Sequence, residues 1–97
     1  MPRVDYSERA RANIKHIGRY TILNWGAFQA DKYVGELLQR IEKAMDWPEG
    51  APEITIGGEI MRKLTVGHHV AYYSIEPDRV LIRAILHFSQ LPDRLRD

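Results

Sequence analysis

The sequence of 97 residues contains no cysteine. That absence excludes disulfide-braced scaffolds, catalytic thiols and thiolate metal sites, and it is typical of proteins in the reducing cytoplasm, where we expect this one. Long apolar runs are missing too, because charged residues interrupt every apolar stretch well before the roughly 18 residues that a membrane helix needs. The opening residues, MPRVD, lack the apolar core of a secretion signal. We therefore expect no membrane partner.

A strong excess of charge of either sign is likewise absent. The 14 basic residues are balanced by 13 acidic ones, which leaves a net charge of +1, whereas proteins that live on nucleic acid carry a marked positive excess. Strong direct binding to nucleic acid is therefore not expected. A hydrophobic content of 44% with 28% charged residues is typical of a folded globular protein, and the length suits one domain over residues 1–97.

The sequence has no glycine-rich phosphate loop and no nucleophile–base motif, so it predicts neither a cofactor nor a catalytic residue. His68 and His69 form a conspicuous pair. Neighbouring residues on a strand point to opposite faces, however, and two such side chains cannot readily hold one ion. The pair therefore predicts a turn or surface feature, and we expect no metal.

The first half of the chain is predicted to be helical. Residues 3–6 alternate as in a short strand, and Ser7 can cap the helix that follows. Gly26 can adopt the left-handed conformation that ends a helix. A second helix over residues 27–45 stops before Pro48, which cannot continue the hydrogen-bond ladder. Because the link at Gly26 is short, the helices should form an antiparallel hairpin. The buried stripe predicted for the first helix consists of Ala10, Ile14, Ile17 and Thr21, widened by Tyr20 and Leu23.

The second half changes to a period of two, which indicates strands. A loop rich in proline and glycine over residues 47–58 precedes strands predicted at residues 60–66, 69–75 and 80–87. The last of these is the most apolar and should lie centrally in the sheet. The order β-α-α-β-β-β predicts an α+β fold in which the helical hairpin packs on a small antiparallel sheet.

We expect four large aromatic residues to have packing roles rather than functional ones. Trp25 and Trp47 bracket the second helix, and we expect both to cap the core. Tyr72 and Tyr73 should pack within their strand, although alternation requires one of them to face outward. In the polar tail that follows residue 87, two leucines are expected to act as anchors, namely Leu91 and Leu95.

The order of elements, at this length, resembles that of the RelE/ParE superfamily of toxins. The segment NWGAFQADKYVGELLQRIEKA resembles the second-helix signature of the ParE branch, with Trp25-Gly26 followed by Gln29-Ala30, Tyr33 and Leu37. The segment IMRKLTVGHHVAYYSI is similar to the strand pair of the family. The segment VLIRAILHFSQLPDRL is similar to its ending, an Ile-Arg-x-Ile-Leu-His core before a polar tail. The match extends over nearly the whole chain.

The resemblance implies one half of a type II toxin–antitoxin pair. ParE-like toxins are neutralised by a ParD-like antitoxin and are thought to block DNA gyrase. We expect the antitoxin to place a helical C-terminal segment in an apolar groove and then to pair along a sheet edge. The alternative is a RelE-like ribosome-dependent mRNA endoribonuclease, and a bare interaction module without toxicity also remains open.

Three departures from the RelE pattern favour binding over catalysis. His69 stands where RelE-like enzymes carry an arginine, residues 46–59 contain no lysine, and no tyrosine follows Phe88. Metal-free RNA cleavage needs charge stabilisation and a general acid–base pair, which these groups would supply. The sequence therefore predicts a toxin that acts by binding.

The sheet half supplies the candidate contacts with a target or antitoxin, because arginine favours interfaces and phosphates. We expect Arg62, Arg83 and His87 to converge on one sheet face, where they would either contact an acidic partner or form a solvated surface. Arg83 is the strongest candidate of the three, since a charge in an apolar strand is costly unless it is paired. The full set of candidates is Arg62, His69, Tyr73, Arg83 and His87.

Overall fold

The computed structural model describes residues 2–90 and Pro92, and the expected anchors Leu91 and Leu95 lie outside this range. Two helices pack on one five-stranded sheet, whose strands lie in the order β1-β5-β4-β3-β2. This confirms the predicted α+β fold with its helical hairpin. The elements are β1 (Arg3–Tyr6), α1 (Glu8–Trp25), α2 (Ala27–Ala44), a 3-10 turn (Pro48–Gly50), β2 (Glu53–Ile56), β3 (Glu59–Val66), β4 (His69–Ile75) and β5 (Arg79–His87).

The helical hairpin is formed as its sequence predicts. The Ser7 hydroxyl accepts from the amide of Ala10 at 3.0 Å, which satisfies one free donor of the first turn of α1. The same hydroxyl donates to the carbonyl of Arg83 at 3.0 Å, so the cap also joins α1 to β5. Gly26 has φ 91°, which an L side chain rarely adopts. It separates the two helices by a single residue and thereby forces them antiparallel.

The sheet has one strand more than predicted and is mixed. The pair Gly57–Gly58, with φ 58° and 83°, forms a tight turn that joins β2 to β3. A Gly-Gly pair is a hairpin signal, but β2 is only four residues long and follows Pro52, so the strand was predicted as part of the loop. β1 pairs with β5 in parallel. A parallel partner requires a long crossover, and the helical hairpin provides it.

Apolar side chains are buried on both faces of the sheet. The core beneath the helices includes Leu37, Ile41, Tyr73 and Ile82. A second buried cluster lies on the opposite face and consists of Ile56, Met61, Val70, Tyr72, Ala84 and Leu86. Tyr72 and Tyr73 do point to opposite faces, but they are only 5% and 1% exposed. The prediction that one of them faces outward into solvent is therefore wrong.

The expected core-capping role of the two tryptophans is also wrong. Trp25 is 71% exposed and Trp47 is 72% exposed. Trp25 is the last residue of α1, at the turn of the hairpin, and Trp47 lies between α2 and the 3-10 turn, where its ring lies against Gly50. Tyr20 and Leu23, expected to widen the buried stripe of α1, are also exposed, whereas Thr21 of the same stripe is buried. No helix within residues 2–90 has the length and hydropathy needed to cross a bilayer.

Candidate functional site

Two of the predicted site residues, His69 and His87, lie opposite each other on β4 and β5. Their ring centroids are 5.6 Å apart in an edge-to-face arrangement. The hydroxyl of Tyr33 on α2 is hydrogen-bonded to Nδ1 of His69 and also accepts from the backbone amide of His68. His87 Nδ1 lies 2.7 Å from the hydroxyl of Ser89. These contacts join the middle of α2 to the end of the sheet.

Burial is the main cause that lowers the pKa of His69 to about 4, and the neighbouring His87 and His68 lower this pKa further. The imidazole is therefore neutral at physiological pH, so its Nδ1 can accept the Tyr33 hydroxyl proton while Nε2 carries the hydrogen. A neutral ring in this position supplies packing and a hydrogen bond. It does not supply a positive charge for binding an anion.

Arg62 and Tyr73 are cross-strand neighbours that hold the segment before β2 against the sheet. The Arg62 guanidinium donates to the carbonyls of Glu49 and Ala51 at 2.9 and 2.7 Å, and it forms a 3.2 Å ion pair with Glu53. The buried Tyr73 hydroxyl donates to the carbonyl of Pro48. Both side chains therefore have structural partners on the chain itself.

Arg83 lies apart from the other predicted basic residues. The pairing of β4 with β5 passes from Tyr72–Ala84 to Tyr73–Ile82, so Arg83 occupies an irregularity that breaks strict alternation along β5. Its guanidinium forms a 3.0 Å ion pair with Glu59, and its side chain is 11% exposed. The predicted convergence of Arg62, Arg83 and His87 on one face is therefore wrong. The expectation that a charge in the apolar strand is paired is confirmed.

The turn of the helical hairpin presents an apolar surface that the sequence interpretation missed. Leu23, Trp25 and Phe28 are 84%, 71% and 84% exposed, and together they form what we call the hairpin tip. The signal was available, since three large apolar residues flank Gly26 within six positions. Large exposed apolar patches on soluble proteins mark interaction sites.

A groove of about 530 Å³ opens between the end of α2 and β3, and we call it the β3 groove. Its apolar lining comes from Ala44, Trp47, Pro52 and Leu64, while Lys43 and Lys63 also line it. The remaining lining residues are Asp46, Gly50, Ala51, Thr65 and Tyr73. Among the described residues, no group of three His, Asp or Glu side chains is placed to hold a metal ion.

Comparison with known proteins assigns this arrangement to a family. Residues 4–92 match the family model described as the ParE toxin of the type II toxin–antitoxin system, parDE. Toxin ParE1 of Caulobacter vibrioides is 34% identical over 84 residues, which cover 86% of this chain and 85% of that protein. A chain in the structure of the chromosomal ParDE TA system from P. aeruginosa is 19% identical, with a TM-score of 0.79 over 90% of this chain and 96% of that one.

The family model extends from Val4 in β1 through the end of β5, and the fold agrees with that of the P. aeruginosa chain. The chain belongs to the family of ParE toxins of type II toxin–antitoxin systems.

Proposed function

We propose that this toxin arrests growth by binding DNA gyrase and that a ParD-like antitoxin neutralises it. Family membership supports an antitoxin partner, because the matching solved chain belongs to a ParDE system. The gyrase target is what the resemblance to ParE toxins implies. Action by binding requires a surface that is apolar and accessible in the toxin alone.

The observation that carries the proposal is the exposure of the hairpin tip. Most of the surface of its three side chains is exposed to solvent, namely those of Leu23, Trp25 and Phe28. Burying a large apolar side chain contributes about 1.5–3 kcal/mol. Three such side chains in one contact would contribute roughly 4.5–9 kcal/mol before association costs, a large share of what a stable interface needs.

The cluster of Tyr33, His69 and His87 favours a second candidate, the ribosome-dependent endoribonuclease. Two imidazoles and a phenol within hydrogen-bonding or ring contact are groups that acid–base catalysis uses. This candidate has weaker support, because burial keeps His69 neutral and its Nδ1 is already hydrogen-bonded to Tyr33. Binding remains the proposed mode of action.

Controlled expression in a bacterial host separates the two candidates. We expect filamentous cells, induction of the DNA-damage response and intact transcripts within minutes of induction, and relief when a ParD-like antitoxin is co-expressed. The double variant Trp25→Ala/Phe28→Ala should lose toxicity. Ile60→Ala is the matched control, since Ile60 is 67% exposed but lies on β3.

Cleaved messenger RNA that persists in the hairpin-tip variant and disappears in His87→Ala would support the endoribonuclease and contradict our proposal. Normal growth after strong expression of the wild-type chain would contradict both candidates.

A further inference from the structure

Helix α1 carries several basic residues that have no acidic residue near them in the sequence. Residues 9–30 contain Arg9, Arg11, Lys15 and Arg19 but no aspartate or glutamate. The remaining ten basic and 13 acidic residues give the rest of the chain a net charge of −3. The overall charge of +1 therefore combines an excess of positive charge in residues 9–30 with an excess of negative charge elsewhere.

Three of these side chains form a line along the helix, which we call the basic ridge. Arg11, Lys15 and Arg19 follow one another at intervals of four residues, and this spacing places them on one face of α1. The helical period directs that face away from the buried residues Ala10 and Ile17. A rise of about 1.5 Å per residue spreads the three charges over about 12 Å.

The basic ridge is exposed, and the chain itself does not neutralise it. All three side chains are exposed, and within residues 2–90 none of them forms an ion pair. The arginines of the sheet, by contrast, all pair with carboxylates. Glu8 is the acidic residue of α1, and it lies in the first turn, before the ridge begins. A surface of this kind attracts a partner of negative charge.

The basic ridge leads directly into the hairpin tip. Ile22 lies three residues beyond Arg19 on the same face and is 50% exposed, and the tip residues Leu23 and Trp25 follow it. About 9 Å along the helix axis separates Arg19 from Trp25. One partner assembly can therefore contact the apolar tip and the basic ridge at the same time.

We propose that the basic ridge contacts the phosphate backbone of the duplex DNA that gyrase holds, while the hairpin tip contacts the enzyme. This inference rests on the proposed gyrase target and adds DNA to the surface that the toxin binds. Duplex DNA carries one negative charge for about every 1.7 Å of its axis, so each of the three basic side chains has phosphates within the length of the ridge. Arginine can bind a phosphate through two parallel N–H bonds, and such contacts do not depend on base sequence.

Three phosphate contacts are too few for strong binding to free DNA, which agrees with the low net charge of the chain. They become effective once the hairpin tip is bound, because the ridge is then held beside the DNA at a high local concentration. The toxin should therefore bind gyrase more tightly when the enzyme carries DNA. This preference should depend on salt, because phosphate contacts release counterions.

The triple variant Arg11→Gln/Lys15→Gln/Arg19→Gln, which we call the ridge variant, tests the contact with DNA. It removes three exposed charges and keeps side chains that favour a helix, so we expect it to fold. Circular dichroism verifies this. The probe is purified gyrase, with and without a bound DNA duplex, into which each toxin is titrated between about 50 and 200 mM salt.

The matched control is Lys32→Gln/Arg40→Gln/Lys43→Gln. It removes the same number of exposed positive charges from the neighbouring helix α2, where acidic residues lie between the basic ones. The control variant has the same net charge as the ridge variant. It should keep the salt dependence of the wild type, so a general effect of net charge is separated from a contact made by the ridge.

On DNA-bound gyrase, the wild-type toxin should lose roughly 40-fold more affinity than the ridge variant between about 50 and 200 mM salt. Each phosphate contact contributes about 0.9 to the slope of log affinity against log salt, and the ridge variant lacks three of them. On gyrase without DNA, the two toxins should bind within about threefold of each other.

The same salt dependence for wild type and ridge variant on DNA-bound gyrase would overturn the inference and leave the gyrase target intact. A ridge variant that is weakened equally with and without DNA would assign the ridge to an acidic surface of the enzyme, which also overturns it. Failure of the wild-type toxin to bind gyrase in either state would instead contradict the proposed function.

A crosslinking measurement decides the matter if the ridge variant does not fold. Because the chain has no cysteine, Lys15→Cys introduces a single thiol to which a photoactivatable group can be attached. In the complex of toxin, gyrase and DNA we expect crosslinks from this position to DNA. The control Lys32→Cys, on α2, should give none. A bound toxin that forms crosslinks from position 15 to protein alone, or no crosslinks at all, would overturn the inference.

Discussion

The amide of Lys63 donates to the carbonyl of Pro52 across 3.1 Å, and this bond closes the pairing of β2 with β3. The residue that accepts the bond cannot return one, so the sheet edge opens at a defined point. The opening lies beside the exposed Trp47 and the half-buried Leu64, in the β3 groove. One proline therefore ends the ladder between β2 and β3.

The Tyr73 hydroxyl is expected to stabilise the fold through its bond to the carbonyl of Pro48. Tyr73 is 1% exposed, so Tyr73→Phe would leave the carbonyl acceptor with one partner fewer in a buried setting. We expect the free energy of unfolding to fall by about 1–2 kcal/mol. Urea denaturation measures the change, with Tyr20→Phe as the control because Tyr20 is 60% exposed. Equal losses in the two variants would contradict the assigned role.

His69 is expected to make the folded state less stable in mild acid. Its pKa lies at about 4 in the folded chain and near its ordinary 6.5 when unfolded, so the unfolded state binds more protons between these values. Stability should therefore be unaffected above pH 6.5 and fall as the pH drops from 6.5 toward 4. The groups that face the ring are Tyr33, His87 and His68, none of them acidic.

The variant His69→Gln removes the titrating group and should flatten the dependence of stability on pH in this window. Thermal denaturation at half-unit pH steps measures the effect. The Asp5–Arg79 ion pair acts in a different range, because Arg79 lowers the pKa of Asp5 and stability from this pair is lost only as that carboxylate protonates at lower pH. A wild-type curve that is flat between pH 6.5 and 4 would contradict the neutral state of His69.

The hairpin tip should contribute little to folding. Trp25→Ala and Phe28→Ala alter side chains that are 71% and 84% exposed, so we expect each to change the free energy of unfolding by no more than about 0.5 kcal/mol. Leu37→Ala provides the contrast, because Leu37 is 2% exposed and its truncation should cost about 2–5 kcal/mol. A large loss of stability in either tip variant would show that these aromatics pack within the toxin.

Much of the fold could be predicted because it follows from local signals. Ser7, Gly26 and Pro48 mark the helix ends by mechanisms that act within a few residues. Burial of the aromatics was predicted less well, because the exposure of Trp25 and Trp47 depends on the extent of tertiary packing around each ring. No local pattern reports that extent.

The candidate site was harder to predict than the fold. His69 and His87 were correctly placed on neighbouring strands, but the contact of His69 with Tyr33 requires knowledge of how α2 crosses the sheet. The irregularity at Arg83 reversed the face that strict alternation assigned to it. The β3 groove was not predicted because β2 itself was not predicted. Without β2, the end of the β2–β3 pairing at Pro52 could not be recognised from the sequence.

The most direct test of a toxin that acts by binding gyrase is a supercoiling assay with purified gyrase, relaxed plasmid and the purified chain. We expect inhibition that rises with toxin concentration, is lost in Trp25→Ala/Phe28→Ala, is retained in Ile60→Ala, and is reversed by the ParD-like antitoxin. Supercoiling that proceeds at the uninhibited rate at every toxin concentration would contradict the proposed target.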